Sequence, residues 1–213
     1  MITVRPMQAA DIEGVIALQK RAFPKMPPWT RRQLRLHLEH FPEGQLVALD
    51  RTGRVVGSAS SLIIDWDPSE QLASWSRITG NGTFKTHDPV RGRTLYGADI
   101  GVHPDSRGMG VGAALYQARR QLVVRFNLRR IVAGGRIPGY AEVADAMDAE
   151  TYIQEVAKGR LKDTVLGFQL AQGFRVRGVI PGYLPCDKAS CGYATLIEWI
   201  NPAYHGALGR PAA

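Results

Sequence analysis

The sequence predicts a mixed α/β fold, an α+β arrangement of helices around one central sheet, on three observations. Strand-like and helix-like segments alternate along the chain. One strand-like run, Thr94-Leu-Tyr-Gly-Ala-Asp-Ile-Gly-Val102, passes through a glycine-rich loop straight into an amphipathic helix. With 213 residues and 45% hydrophobic side chains, the chain can bury one core of ordinary size.

Taken in order, the pattern gives a strand at 2–5, helices at 9–22 and 30–40, and strands at 45–50 and 54–64. Then come a strand at 94–103, a helix at 109–127 and a strand at 130–135. A helix near 163–173 and strands at 174–180 and 193–200 close the pattern. Two segments stand outside it. Residues 65–93 carry Trp66, Trp75 and Ile78-Thr-Gly-Asn-Gly-Thr83, and residues 136–162 contain a helix expected from Ala141 to Lys158. Long connections in a compact domain are usually functional or disordered, so both are candidates for substrate selection, with dimer contact as the rival explanation. Residues 201–213 are read as a C-terminal tail, and the part after Pro202, rich in Gly, Ala and Pro, is expected to be loosely held.

The central strand and helix are the best supported. Ala98, Ile100 and Val102 alternate with Asp99, Gly101 and His103, as a strand with two unlike faces should. Val111, Ala114, Leu115, Ala118, Leu122 and Phe126 fall on one face of a 3.6-residue period. Gln117, Arg119, Arg120, Gln121 and Arg125 are assigned to the opposite, polar face. Between strand and helix stand Arg107, Gly108, Met109, Gly110, Val111, Gly112 and Ala113. Alternate glycines at such a junction let successive N–H groups, aided by the helix dipole, converge on a phosphorylated ligand.

Three kinds of phosphate loop compete. A Walker A loop needs Lys-Ser or Lys-Thr after its last glycine, and Ala113-Ala114 stands there. A dinucleotide fingerprint can be laid on Gly108, Gly110 and Ala113. It wants a carboxylate about 20 residues on for the ribose, where the chain has Arg129-Arg130-Ile-Val-Ala. The third fits better: Arg107-x-x-Gly110-x-Gly112, after a strand ending in Val-x-Pro, resembles the acetyl-CoA loop of the GNAT N-acetyltransferases.

The resemblance spans roughly residues 1–200. Ile2–Met7 and Asp11–Leu18 are similar to that family's first strand and helix. Leu46–Leu49 and Arg54–Ile64, joined by Asp50-Arg-Thr-Gly53, resemble its hairpin, and Gly167–Phe174 resembles its last helix closing in Gly-Phe. Tyr96–Pro104, Gly134–Tyr140 and Gly192–Leu196 are more specific. They resemble the acetyltransferase half of bacterial proteins that fuse such a domain to a carbon–nitrogen hydrolase. The resemblance implies a single domain over 1–200. It implies a mostly antiparallel sheet whose fourth and fifth strands splay apart.

It also implies the site. Backbone N–H groups from Met109 to Ala113 would hold the pyrophosphate of acetyl-CoA, with Arg107 supporting the loop. Ile100, Gly101 and Val102 would pair with the pantetheine arm, and an N–H there would stabilise the oxyanion. Tyr96 stands where histone-type relatives carry a glutamate base. Asp99 is the nearest carboxylate, on the opposite strand face unless a bulge intervenes. A charge inside such a strand needs a reason: either a catalytic base or a partner for an arginine or backbone amides. The family's tyrosine near the departing sulfur corresponds to Gln169, which cannot usefully donate a proton. Either the thiolate leaves unassisted, or Tyr140, or else Tyr152, takes that tyrosine's place.

Net charge is +8, but the basic residues are scattered and no recognition motif accompanies them, so nucleic acid is not expected as partner. No apolar run reaches membrane-spanning length, and no signal peptide is evident, which makes the cytoplasm the expected compartment. Cys186 and Cys191 flank a four-residue turn and are expected as reduced thiols. The five histidines form no metal-ligand pattern. A strand at the sheet edge, such as 193–200, is a candidate for pairing across a homodimer. The expected function is acetyl transfer to a small-molecule or peptide amine. A non-catalytic acyl-CoA sensor or partner subunit is the alternative, and an NADP-dependent oxidoreductase fits less well.

Overall fold

The computed structural model describes residues 2–206. Its strands are β1 (Thr3–Pro6), β2 (Gln45–Leu49), β3 (Val55–Ile64), β4 (Thr94–Val102), β5 (Arg130–Gly135), β6 (Arg175–Ile180) and β7 (Ala194–Ile200). The helices are α1 (Ile12–Ala22), α2 (Arg31–His40), α3 (Trp75–Ile78), α4 (Val111–Arg125), α5 (Ala149–Ala157) and α6 (Thr164–Ala171). The strands form one sheet in the order β1-β2-β3-β4-β5-β7-β6. Every pair is antiparallel except β4–β5.

Period-two alternation sends β2 to both sides of the sheet. Leu46 and Ala48 pack with Val56, Ala59, Val111, Leu115 and Leu122 beneath α4. Val47 joins Ile12, Val15, Leu18, Leu34 and Leu62 under α1 and α2. A third cluster unites Ile131, Ala133 and Ile197 with Tyr152, Ile153 and Leu166 of α5 and α6.

β4 and β5 pair only from Thr94↔Arg130 to Tyr96↔Val132. Beyond that point β4 stays with β3 as far as Val102↔Gly57, while β5 stays with β7. The two strands part, and the wedge between them is the cleft of the molecule.

Four expectations need correction. The 141–158 helix begins only at Ala149, because Asp148 caps it by accepting from Thr151 N at 2.8 Å. A strong N-cap fixes a helix start, and the residues before it form turns. Strand 193–200 is not an edge: β7 lies between β5 and β6, and β6 is the edge. Arg119 does not face solvent; it is 2% exposed. The described residues after Pro202 are held as well, with Ala203 N donating to Asn201 Oδ1 at 3.0 Å and His205 N to Asn127 Oδ1 at 3.2 Å. Residues 207–213 lie outside the described residues.

Candidate active site

The glycine loop lies at one end of the wedge. After Val102 the chain makes a short turn, Pro104–Ser106, and reaches α4 through Gly108 (φ 74°) and Gly110 (φ 79°). Left-handed backbone at both positions needs glycine. Gly110 is the N-cap of α4. The first three N–H groups of the helix, on Val111, Gly112 and Ala113, find no acceptor within the helix, nor elsewhere among the described residues. A cavity of about 720 Å³ opens above them. It is lined by Ile100, Gly101 and Val102 of β4, by Arg107, Gly108, Gly110, Val111, Gly112 and Ala113, and by Phe168 and Gln169 of α6. The loop residues named from sequence are thus brought together, save Met109, which is 64% exposed. Arg107 is exposed at the rim.

A second cavity, of about 230 Å³, continues the first past Ile100, Tyr116, Arg136 and Gln169, which line both. Its walls include Phe23, Trp29, Trp75, Asp99, Arg119 and Tyr183. Insertion 65–93 therefore reaches it through Trp75. Insertion 136–162 reaches it only through Arg136, while α5 packs in the core away from the cleft.

Asp99 gets there by a bulge. Ser60 opposes Asp99 and Ser61 opposes Gly97, so Ala98 is an extra residue in β4. One extra residue reverses the alternation, and Asp99 ends on the face Tyr96 occupies. Its Oδ2 accepts from Gln19 Nε2 at 3.0 Å and Trp29 Nε1 at 3.4 Å. Burial pushes the carboxyl above its ordinary range, and the Arg119 charge and these donors oppose the rise.

The bulge leaves carbonyls out of the ladder, and Arg119 takes them up. Its Nη2 donates to Ser60 O at 2.8 Å and to Asp99 O, and its Nε donates to Ser61 Oγ at 3.0 Å. Gly97 makes the room: a Cβ there would stand 3.2 Å from Arg119 Nη1. Arg119 was missed because its polarity argued for the solvent face. Its position, eight residues after Val111, lies within the stripe of Val111, Leu115 and Leu122. A buried serine pair in β3 and a glycine in β4 were the remaining signal.

Gln169 is buried, and its Nε2 donates to Tyr116 OH at 3.4 Å. Its Oε1 has no partner among the described residues. Tyr116, on α4 one turn beyond Gly112, was not singled out from sequence, yet it lines both cavities and is 1% exposed. Burial raises its pKa, which keeps the proton on the phenol.

Tyr96 is fully buried behind the second cavity, with its hydroxyl bonded to that of Tyr183. Burial pushes Tyr183, which does line the cavity, up to about 12. Tyr140 is not brought to the cleft: its hydroxyl donates to Met147 O at 3.3 Å, and its ring packs on Tyr152 and Tyr193. Tyr152 donates to Asp163 Oδ2 at 3.0 Å and lines neither cavity. Cys186 and Cys191 are free and exposed. Among the described residues there is no group of three metal-ligating side chains and no helix long and apolar enough to cross a membrane.

A seven-stranded sheet parted between β4 and β5, its only parallel pair among the described residues, with a glycine loop and helix N-terminus at the mouth, defines the class. The family model of the acetyltransferase (GNAT) family matches residues 12–144. The chain belongs to that family.

Two relatives come from Bacillus subtilis (strain 168). "Probable hydrolase YhcX" is 44% identical over 203 residues, covering 95% of this chain, which spans only 39% of that protein's length. "Uncharacterized N-acetyltransferase YkwB" is 40% identical over 210 residues, covering 97% of this chain and 92% of its own. Among solved structures, the GphF GNAT-like decarboxylase in complex with isobutyryl-CoA superposes with a TM-score of 0.78 at 25% identity. That match covers 93% of this chain and 98% of that one.

Proposed function

We propose that this chain is an acyl-CoA-dependent N-acetyltransferase, moving acetyl from acetyl-CoA to a primary amine by direct attack within a ternary complex. The observation that carries the reading is the continuity of two cavities with opposite chemistry. One offers unpaired backbone N–H groups at a helix N-terminus, which suits phosphates. The other offers a carboxylate, which suits an amine. They meet at Ile100, Tyr116 and Gln169.

The thioester supplies an electrophilic carbonyl and a thiolate leaving group. Asp99 accepts the proton that the ammonium must lose before its nitrogen can attack and releases it to solvent, and the nitrogen gives up its second proton to solvent as the C–N bond forms. Tyr116, steadied by Gln169, gives its proton to the departing sulfur as the C–S bond breaks. The phenol then regains a proton from solvent. A backbone N–H at the end of β4, within Ile100–Val102, polarises the carbonyl, and positioning across the junction supplies much of the remaining acceleration.

A second reading, a non-catalytic acyl-CoA sensor or partner subunit, draws on Gln169 standing where the family's tyrosine would be. The test is thermal stabilisation by acetyl-CoA, isobutyryl-CoA and NADPH, followed by free-thiol release on an amine panel. Binding should raise Tm by mass action. A shift with either CoA thioester and none with NADPH, together with amine-dependent thiol release, is the expected result. A shift without thiol release favours the sensor; no shift with any acyl-CoA defeats both readings.

A further inference from the structure

The second cavity constrains what amine it can take. At about 230 Å³ it is small beside typical ligand pockets, which run to about 300–1,000 Å³. Phe23, Met26, Pro27, Trp29, Trp75 and Leu184 make most of its wall apolar.

Its two indoles are fixed in place. Trp75 Nε1 donates to Ala98 O at 3.0 Å, and Trp29 Nε1 reaches Asp99 Oδ2 at 3.4 Å. The rings lie 5.3 Å apart, tilted by 30°. Anchored indoles beside a carboxylate are suited to a cation carrying hydrocarbon.

Two other kinds of acceptor are disfavoured. An acceptor carboxylate would need an uncommitted cation. Arg136 is held bidentately by Asp187, both contacts at 2.6 Å, and Arg119 is spent on the bulge through Nε and Nη2. A peptide acceptor would need strand-edge groups on β4, but Ala98 O is taken by Trp75 and Asp99 O by Arg119.

We infer that the acceptor is a compact apolar primary amine without a carboxylate, an aralkyl or branched alkyl amine. Its ammonium sits beside Asp99 and its hydrocarbon part lies against Trp29 and Trp75. This rests on the transferase reading above and narrows it.

The experiment measures thiol release by the full chain at saturating acetyl-CoA. The acceptors are 2-phenylethylamine, 3-methylbutylamine, phenylalanine and a short peptide with a free N-terminus. The expected kcat/KM for either apolar amine is at least about 100-fold above that for phenylalanine or the peptide, the scale of one buried charge left unpaired. Trp75→Ala should raise KM for 2-phenylethylamine about tenfold with KM for acetyl-CoA unchanged. Trp75→Phe, which keeps an aromatic face, should restore part of it and guards against a folding defect. A preference for phenylalanine or the peptide overturns the inference while leaving the transferase reading intact. So does an unchanged amine KM in Trp75→Ala. Stabilisation by acetyl-CoA with no amine turned over also overturns it, whereas no stabilisation by any acyl-CoA removes the transferase reading itself.

Discussion

At the donor end of the cleft the ligand-facing groups are backbone N–H groups of one short stretch, Val111 to Ala113, entered through Gly108 and Gly110. At the acceptor end they are side chains drawn from positions as far apart as Gln19 and Cys186. The donor end depends on what is missing: side chains at three glycines and acceptors for the first turn of α4. The acceptor end depends on one irregularity, the extra Ala98, and on the buried cation that stabilises it. A phosphate site can thus be made by local backbone geometry alone. A site that must hold an amine and move its proton needs a placed carboxylate, and placing it took contributions from β3, β4, α1 and α4.

Asp99→Asn is the sharpest break in that comparison. It keeps the donor end whole and removes the proton acceptor, so kcat should fall by about 10²–10⁴ with KM for acetyl-CoA unchanged. Stability should move the other way. Burial raises the folded-state pKa of Asp99, so the native state binds its proton more tightly than the unfolded chain. The cost to stability therefore builds as pH rises from the unfolded-state pKa towards the folded one and is complete above it. The variant should melt at the same temperature as the parent or higher at pH 7, with any advantage vanishing below the unfolded-state pKa of about 3.9.

Gly112→Val should do the converse. A Cβ there would stand 2.8 Å from the Phe168 ring, at the wall of the donor cavity. Phe168 is 38% exposed and can swing away, so stability changes little. The intruding side chain crowds the N–H groups, however. KM for acetyl-CoA should rise roughly 100-fold, on the order of 3 kcal/mol of lost binding, with a smaller change in kcat.

These two ends also differ in how far they were legible in the sequence. The loop was legible because its residues are contiguous and each glycine has a local reason. Asp99 was legible as an anomaly, a charge in an apolar strand, and its face depended on a bulge that alternation alone does not reveal. Trp29, Tyr116 and Tyr183 carry no local signature. They converge only through the packing of the α1–α2 connection, α4 and the segment before β7 on the parted strands. Arg119 was misassigned because residue type outweighed helical position. Asp148 was overlooked as a cap, which lengthened α5 by a run of turns.

Arg119→Met tests whether the acceptor end rests on that cation. The substitution matches the stem and removes the donors to Ser60 O, Asp99 O and Ser61 Oγ. Two carbonyls left without partners cost about 1–3 kcal/mol each, so Tm should fall on the order of 10 °C for a chain of this size. Arg119 also holds the Asp99 pKa down. Without it, Asp99 protonates at higher pH, and the acid limb of the kcat/KM profile should move upward in the molecules that remain folded. A profile that stays in place would separate the structural role of Arg119 from any influence on the base.

The smallest effects should come from the tyrosines, and they divide by location. Tyr116→Phe removes the one hydroxyl that bonds Gln169 at the junction of the cavities, and kcat should drop about tenfold if leaving-group protonation contributes at the lower end of general-acid catalysis or below it. Tyr140→Phe keeps the ring contacts with Tyr152 and Tyr193, 5.5 and 5.7 Å between centroids. It loses only the bond to Met147 O at 3.3 Å, worth about 1 kcal/mol or less at that length. Tm should therefore slip by a few degrees at most, while kcat and both KM values stay within about twofold. A tenfold loss in kcat for Tyr140→Phe, with Tyr116→Phe unaffected, would mean that residues 136–148 move into the cleft during turnover and that the proton to sulfur comes from that segment instead of α4.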